Sequence, residues 1–183
     1  EMIAYWKLDE TSGSSYHDFY NKHNGQCAGQ CPTPVTGRVN GGQAFNGSNT
    51  GIDVPAHSSL DWGVNDSFSI EFWMQTPSAS TCSGNEVIVG RNDASNKVHW
   101  WVGCQDGGQA AFYLRDKNNI LGWAIGTTDV TDGAWHHIVA VRVAATNEMH
   151  IYVDGTAQGS THATFTTGFD SLTAALNIGW INT

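Results

Sequence analysis

The chain has 183 residues, 21 of them glycine, with eight lysines and arginines against 17 aspartates and glutamates and a formal net charge of −9. So few cations exclude nucleic acid as the main partner, because neutralising a phosphate backbone needs clustered lysine and arginine. No apolar run is long enough to span a bilayer, so membrane insertion is not expected.

One domain is expected at this length, large enough to bury roughly 70% of its unfolded surface. Runs with strand character fall at 2–8, 42–46, 51–54, 67–75, 86–91, 97–103, 110–116, 120–126, 135–143, 148–153 and 174–180. No window carries a helical stripe. This spacing predicts an all-β sandwich of two antiparallel sheets, with the first and last strands side by side. The chain opens inside a strand pattern and stops just after another, which reads as a module of a longer protein.

Segment 86–126 reads as a four-strand meander. Val98, Trp100 and Val102 share an inward face, opposite His99 and Trp101, while Phe112 and Leu114 go inward and Tyr113 and Arg115 outward. A one-residue bulge would exchange the faces. Further on, Ile138, Ala140 and Arg142 alternate with His137, Val139, Val141 and Val143, and Met149, Ile151 and Val153 alternate with His150, Tyr152 and Asp154. Between the two runs lie five residues with Asn147 among them, and Asp132-Gly133 and Asp154-Gly155 bracket the pair as turns. A central hairpin with one buried face follows.

Four cysteines allow three pairings. The sequential one is expected, Cys27 with Cys31 closing a small loop and Cys82 with Cys104 stapling neighbouring strand ends; the alternative is four free buried thiols. No CxxC or Cys/His quartet suggests zinc. Disulfides would place the protein outside the cytoplasm, secreted or at the cell surface.

The pattern Asp132-Gly-Ala-Trp-His-His137 leading to Tyr152-Val-Asp-Gly155 resembles the laminin-G-like, or concanavalin A-like, jelly-roll family. The segments Ala4–Gly13, Gly41–Gly47 with Phe68–Trp73, and Leu176–Gly179 match it as well, in the family's order and over almost the whole chain. The resemblance implies a two-sheet jelly roll and a carbohydrate-binding or adhesin role. It also implies a structural calcium near Asp18, with Asn21 and Asn24 following at three-residue intervals and a further carboxylate from Asp170. Calcium takes six to eight hard oxygens, which a coiled loop with side-chain and carbonyl oxygens supplies. The sequence departs from the family at Phe19-Tyr20, where Ser-Gly is usual.

Eight tryptophans exceed what one core of this size needs. Trp101, Tyr113 and Trp123 fall in adjacent strands of the meander, with His99 and Arg115 beside them. Sugars stack their C–H faces on aromatic planes while neighbouring polar groups read the hydroxyls, so this set is the candidate glycan platform. Asp93, Asn96, Asp106 and Asn118 are loop residues that would supplement it. Glycosidases need two facing carboxylates, yet no Asp or Glu lies within four residues of Glu71, the glutamate in the central strand pattern. Adjacent strand residues point to opposite faces, so His136 and His137 cannot chelate one ion and are read as structural. The expectation is a calcium-stabilised, non-catalytic, glycan-binding module of a secreted or surface protein, with a protein-interaction or spacer domain as the alternative.

Overall fold

The computed structural model describes residues 1–27, 29–78 and 82–182. The strands are β1 (Ser15–Tyr16), β2 (Gly25–Cys27), β3 (Thr33–Thr36), β4 (Gly41–Ala44), β5 (Ile52–Val54), β6 (Phe68–Gln75) and β7 (Glu86–Asp93). They continue as β8 (Val98–Cys104), β9 (Gln109–Arg115), β10 (Leu121–Asp129), β11 (Trp135–Val143), β12 (Glu148–Val153), β13 (Thr156–His162) and β14 (Leu176–Ile178). An eight-stranded sheet, ordered β1-β2-β5-β14-β7-β8-β9-β10, faces a four-stranded sheet ordered β13-β12-β11-β6, and β3 and β4 form a separate ribbon. The pairings within the strands are antiparallel, which is the expected all-β jelly-roll sandwich.

Alternation decides which side chains fill the space between the sheets. Along β11 and β12, Ile138, Ala140, Met149 and Ile151 are fully buried, and the large sheet answers with Val98, Trp100, Phe112 and Leu114. Trp62 stacks on Phe68 with 3.8 Å between ring centroids and leans on Trp100 at 5.0 Å. At Gly122, between the sheets, a side chain has no room. A Cβ on Gly122 would lie 2.4 Å from the Met149 sulfur.

Turn chemistry sets the hairpins. A 3₁₀ turn at Ala144–Thr146 joins β11 to β12 and ends on Asn147 in the left-handed region (φ 56°), a conformation asparagine tolerates. Asp154 (φ 51°) and Gly155 (φ 77°) form a two-residue loop with both angles positive, so β12 folds directly back into β13. β13, with no large apolar side chain, has no strand signal in the sequence. Beyond it the sandwich closes sideways: Gln158 Oε1 accepts from the backbone N–H and hydroxyl groups of Thr127 and Thr128 in β10. On the opposite side a cleft of about 2350 Å³ separates β6 from residues 1–9 and the β3–β4 ribbon.

The predicted strand at 2–8 does not form. Only Trp6 makes a bridge, to Asp18, and Leu8 turns the chain with φ 57°. The Tyr5 N–H goes instead to the Asp18 carboxylate at 2.8 Å and the Trp6 indole N–H to the His23 carbonyl at 2.7 Å. The last strand therefore does not pair with the first; β14 lies between β5 and β7. Both cysteine pairs form disulfides in the expected pattern, Cys27–Cys31 and Cys82–Cys104.

Buried polar side chains tie the loops at one end of the sandwich. Arg91, with no exposure, donates to the carbonyls of Leu60, Ser171 and Ala174 and to Asp61 Oδ1 at 2.6 Å. Asp116, equally buried, accepts from the backbone of Asn118 and Ile120 in its own turn and of Thr166 and Thr167 across from it. Burial alone would raise its carboxyl, but these hydrogen bonds hold it below the usual carboxylate range.

His136 is structural, as expected, and acts as a clasp. Its Nδ1 meets Asp154 Oδ2 at 2.8 Å and its Nε2 meets Asp132 Oδ1 at 3.1 Å, joining the turns at both ends of the hairpin. Burial opposes the imidazolium, yet the two carboxylates outweigh it and raise the His136 pKa, while Asp154 and Asp132 are lowered. A raised histidine stabilises fully below its unfolded pKa of about 6.5, and that contribution is lost as pH climbs through the folded value; the lowered aspartates lose theirs in acid. The melting temperature is expected to fall by a few degrees between pH 6 and 8.5, with the gap between wild type and His136→Gln narrowing over that range. A gap of constant size would show that His136 does not titrate with folding. The Cys82–Cys104 bond spans 22 positions, so replacing both residues by alanine is expected to cost about 3 kcal/mol, or about 6–12 °C in a melt followed by near-UV circular dichroism.

Candidate functional site

Strand register assembles the site on the outer face of the large sheet. Gly90, Trp101, Tyr113 and Trp123 stand directly opposite one another across β7, β8, β9 and β10. Two pairs further along the strands, Asn92, His99, Arg115 and Leu121 make a second row. Residues directly opposite in antiparallel strands share a face, so both rows project away from the core. The five predicted platform residues, His99, Trp101, Tyr113, Arg115 and Trp123, are thus brought together on one surface.

Their rings form one cluster. Trp101 and Tyr113 lie nearly parallel, 9° apart with centroids at 6.0 Å, and Trp123 stands at 82° to Tyr113 with centroids at 5.8 Å. The His99 ring meets Tyr113 edge-on at 5.4 Å. The rings are not equally accessible: Trp101 is 4% exposed and Trp123 38%. The C-terminal segment explains part of this difference, because Ile181 packs over Gly90 beside Trp101. Trp101 therefore supports the surface that Tyr113 and Trp123 present. Only Ile181 has no sequence signal among these residues, since nothing local indicates that the chain recrosses the sheet after β14.

Beside the cluster is a pocket of about 520 Å³ lined by Asn92, Lys97, His99, Tyr113, Arg115 and Asn119. The Arg115 Nε–H donates to the Lys97 carbonyl at 3.0 Å, which fixes the guanidinium at the rim. Asn92 donates its amide N–H to the Asn182 carbonyl at 2.6 Å and turns its oxygen to His99 Nδ1 at 2.9 Å. The His99 proton is therefore assigned to Nδ1, leaving Nε2 as an acceptor. Burial, reinforced by the Arg115 charge, pushes the His99 pKa down to about 4, so the ring is neutral at physiological pH. Lys97 and Asn119 reach the pocket from left-handed turn positions (φ 68° and 61°), invisible to an alternation argument.

The supplementary loop residues go elsewhere. Asp93 is buried and accepts from Ser171 and Ser95. Asn96 reaches the Asp170 carbonyl, Asn118 the Thr166 hydroxyl, and Asp106 accepts from the Gly84 N–H.

The four predicted calcium ligands do not form a ligand set. Asp18, 2% exposed, accepts from the Tyr5 N–H on one oxygen and from the Lys22 and His23 N–H groups and the His23 ring on the other. Burial alone would raise its carboxyl, but these donors keep it low. Asn24 Oδ1 accepts from the Asp18 N–H and Asn21 Oδ1 from the Asn24 amide. Asp170 pairs with Lys117 at 2.6 Å, outside this loop. A carboxylate ringed by N–H donors has its lone pairs spent, so the arrangement does not fit a cation. Among the described residues no three histidine, cysteine or acidic groups converge as a metal site.

No curated protein matches the sequence. Among solved structures, the binding domain of Paraclostridial Mosquitocidal Protein 1 superposes with a TM-score of 0.75 at 17% identity, over 94% of this chain and 43% of that one. Domain 4 of AbnA, a GH43 extracellular arabinanase from Geobacillus stearothermophilus, in complex with arabinotriose, gives 0.68 at 18% identity, over 98% of this chain and 83% of that one. The receptor binding domain of botulinum neurotoxin type G gives 0.50 at 16% identity, over 92% and 44%. The chain thus spans less than half the length of the toxin chains it matches. These likenesses show the fold. A laminin-G-type family model, described as the concanavalin A-like lectin/glucanases superfamily, matches residues 46–182. With that match over well more than half of its length, the chain belongs to the concanavalin A-like lectin/glucanases superfamily.

Proposed function

We propose that this chain is a non-catalytic, lectin-like carbohydrate-binding module of a secreted or cell-surface protein. The observation that carries the reading is the Trp101–Tyr113–Trp123 cluster on the outer face of the large sheet, with a polar pocket against it. Ring faces take the apolar side of a pyranose or furanose, and His99 Nε2, the Tyr113 hydroxyl and the Asn119 amide supply hydrogen bonds to its hydroxyls. Membership of the superfamily and the arabinotriose bound to the AbnA domain support a saccharide ligand. Two disulfides support an extracellular location.

Among the described residues, those lining this pocket include no carboxylate, which supports reading it as a site that binds a glycan rather than hydrolyses it. Binding without turnover suits a module whose modest affinity is raised by tethering or multivalency. One observation favours a second reading, a protein-contact or spacer domain: Leu121, Trp123 and Ile125 follow each other along β10 at 55%, 38% and 36% exposure.

Affinity electrophoresis in gels cast with polysaccharides, arabinan among them, separates the two. Retardation is expected in at least one gel, and Trp123→Ala is expected to weaken it about tenfold or more, equivalent to about 1.4 kcal/mol. No retardation in any gel, with binding to an extracellular protein that Leu121→Ser abolishes, would establish the second reading. Calcium has no place in the proposal, because the Asp18 loop satisfies itself. Excess chelator is therefore expected to leave the melting temperature unchanged. A fall that added calcium reverses would show that the loop rearranges around an ion.

A further inference from the structure

The pocket beside the aromatic cluster has an unusual charge for this chain. Of eight lysines and arginines in the sequence, two, Lys97 and Arg115, lie at this one opening. Among the described residues neither has an ion-pair partner, and the terminal guanidinium nitrogens of Arg115 and the ammonium of Lys97 have no hydrogen bond. Of the other six, five are engaged, Arg91 with Asp61, Lys117 with Asp170, Arg142 with carbonyls, Arg38 over Trp73 and Lys7 over Phe19, while Lys22 makes its hydrogen bond to Asp18 through the backbone N–H.

The nearby carboxylates do not reach this opening. Asp93 and Asp116 each follow a pocket residue by one position, so alternation turns them inward. There Asp93 is spent on Ser95 and Ser171, and Asp116 on four backbone N–H groups. His99 is neutral, so the opening carries two positive charges and no negative one. The acidic remainder of the molecule weakens attraction to an acidic polymer as a whole, but the two cations at the opening attract the one carboxylate of such a chain that enters it.

We propose that this pocket receives the carboxylate of an acidic sugar whose ring stacks on Tyr113 and Trp123. The inference rests on the glycan-binding reading of the same surface and names its ligand class. Tyr113 and Arg115 are two positions apart on one face of β9, about 7 Å along the strand, a span that a stacked ring's exocyclic carboxylate and the hydrogen bond it accepts from the guanidinium fill together. The planar guanidinium offers parallel N–H groups to a planar carboxylate, a match that a tetrahedral sulfate ester meets less well. A charge-assisted contact at a partly exposed rim weakens with added salt.

The test uses the full chain in gels of polygalacturonate, polymannuronate and hyaluronan, each beside its methyl-esterified form, with arabinan and dextran sulfate as further gels. Expected is retardation by at least one acidic polymer about tenfold stronger than by its ester, reduced by half a molar of sodium chloride. Arg115→Gln and, separately, Lys97→Gln are expected to bring the acidic polymer down to the level of its ester, with circular dichroism melts confirming that both fold. Equal retardation by acid and ester, or by an ester or arabinan alone, lost in Trp123→Ala, would overturn the carboxylate site and leave the aromatic platform standing. Retardation by dextran sulfate in place of the carboxylated polymers, or retention of the acid preference in both glutamine variants, would also overturn it. Absence of retardation in every gel would remove the glycan reading and this inference together.

Discussion

One register across β8, β9 and β10 governs both the core and the surface of this molecule. Trp100 and Trp101 are neighbours in sequence, and only strand parity decides that Trp100 packs on Trp62 while Trp101 joins Tyr113 outside. A slip of one residue would bury the tyrosine and arginine and expose Phe112 and Leu114, at a cost the sandwich cannot absorb. The same hydrophobic demand that builds the core therefore orients the outer face. The aromatic surface needs no separate device to hold it, because each outward ring is attached to a strand whose inward neighbours are fully buried.

Period-two patterning was legible wherever one face of a strand meets the core. It placed Val98, Trp100, Phe112 and Leu114 inside and His99, Tyr113 and Arg115 outside, it set Ile138 with Ala140 and Met149 with Ile151 on shared faces without telling which face is buried, and it brought five site residues onto three adjacent strands. It failed where burial does not drive the strand. β1, β2, β3 and β13 are short or polar and are held by backbone pairing, so their composition carries no alternation to read. Residues 2–8 show the converse error. Their alternation is genuine, but Asp18 captures the Tyr5 N–H, the His23 carbonyl captures the Trp6 indole, and Leu8 breaks the extension. Pocket residues Lys97 and Asn119 were missed for a related reason: turn geometry, not strand parity, points them at the opening.

Interior charge follows a consistent logic. Arg91 and Arg142 are buried and donate to carbonyl groups of loops distant in sequence, and Arg142 also lies against Phe165 and Phe169 at 5.5 and 5.3 Å. Loops without regular structure present backbone groups that need partners, and a guanidinium satisfies several at once. Removing such a side chain would strand those carbonyls, which costs more than the hydrogen bonds themselves are worth.

The acidic side of the ledger corrects what net charge alone suggests. A count of −9 reads as a surface ready for cations. Yet Asp18, Asp93 and Asp116 are buried and ringed by donors, and each carboxyl is held low against the burial that would raise it. These aspartates act as caps for loop N–H groups, the role the Asx geometry of their turns suits. Carboxylates whose lone pairs accept in this way have few left to offer a cation, and they point away from the outer face of the large sheet. At the opening on the β7–β10 face the charged side chains are then Lys97 and Arg115, which formal net charge does not reveal.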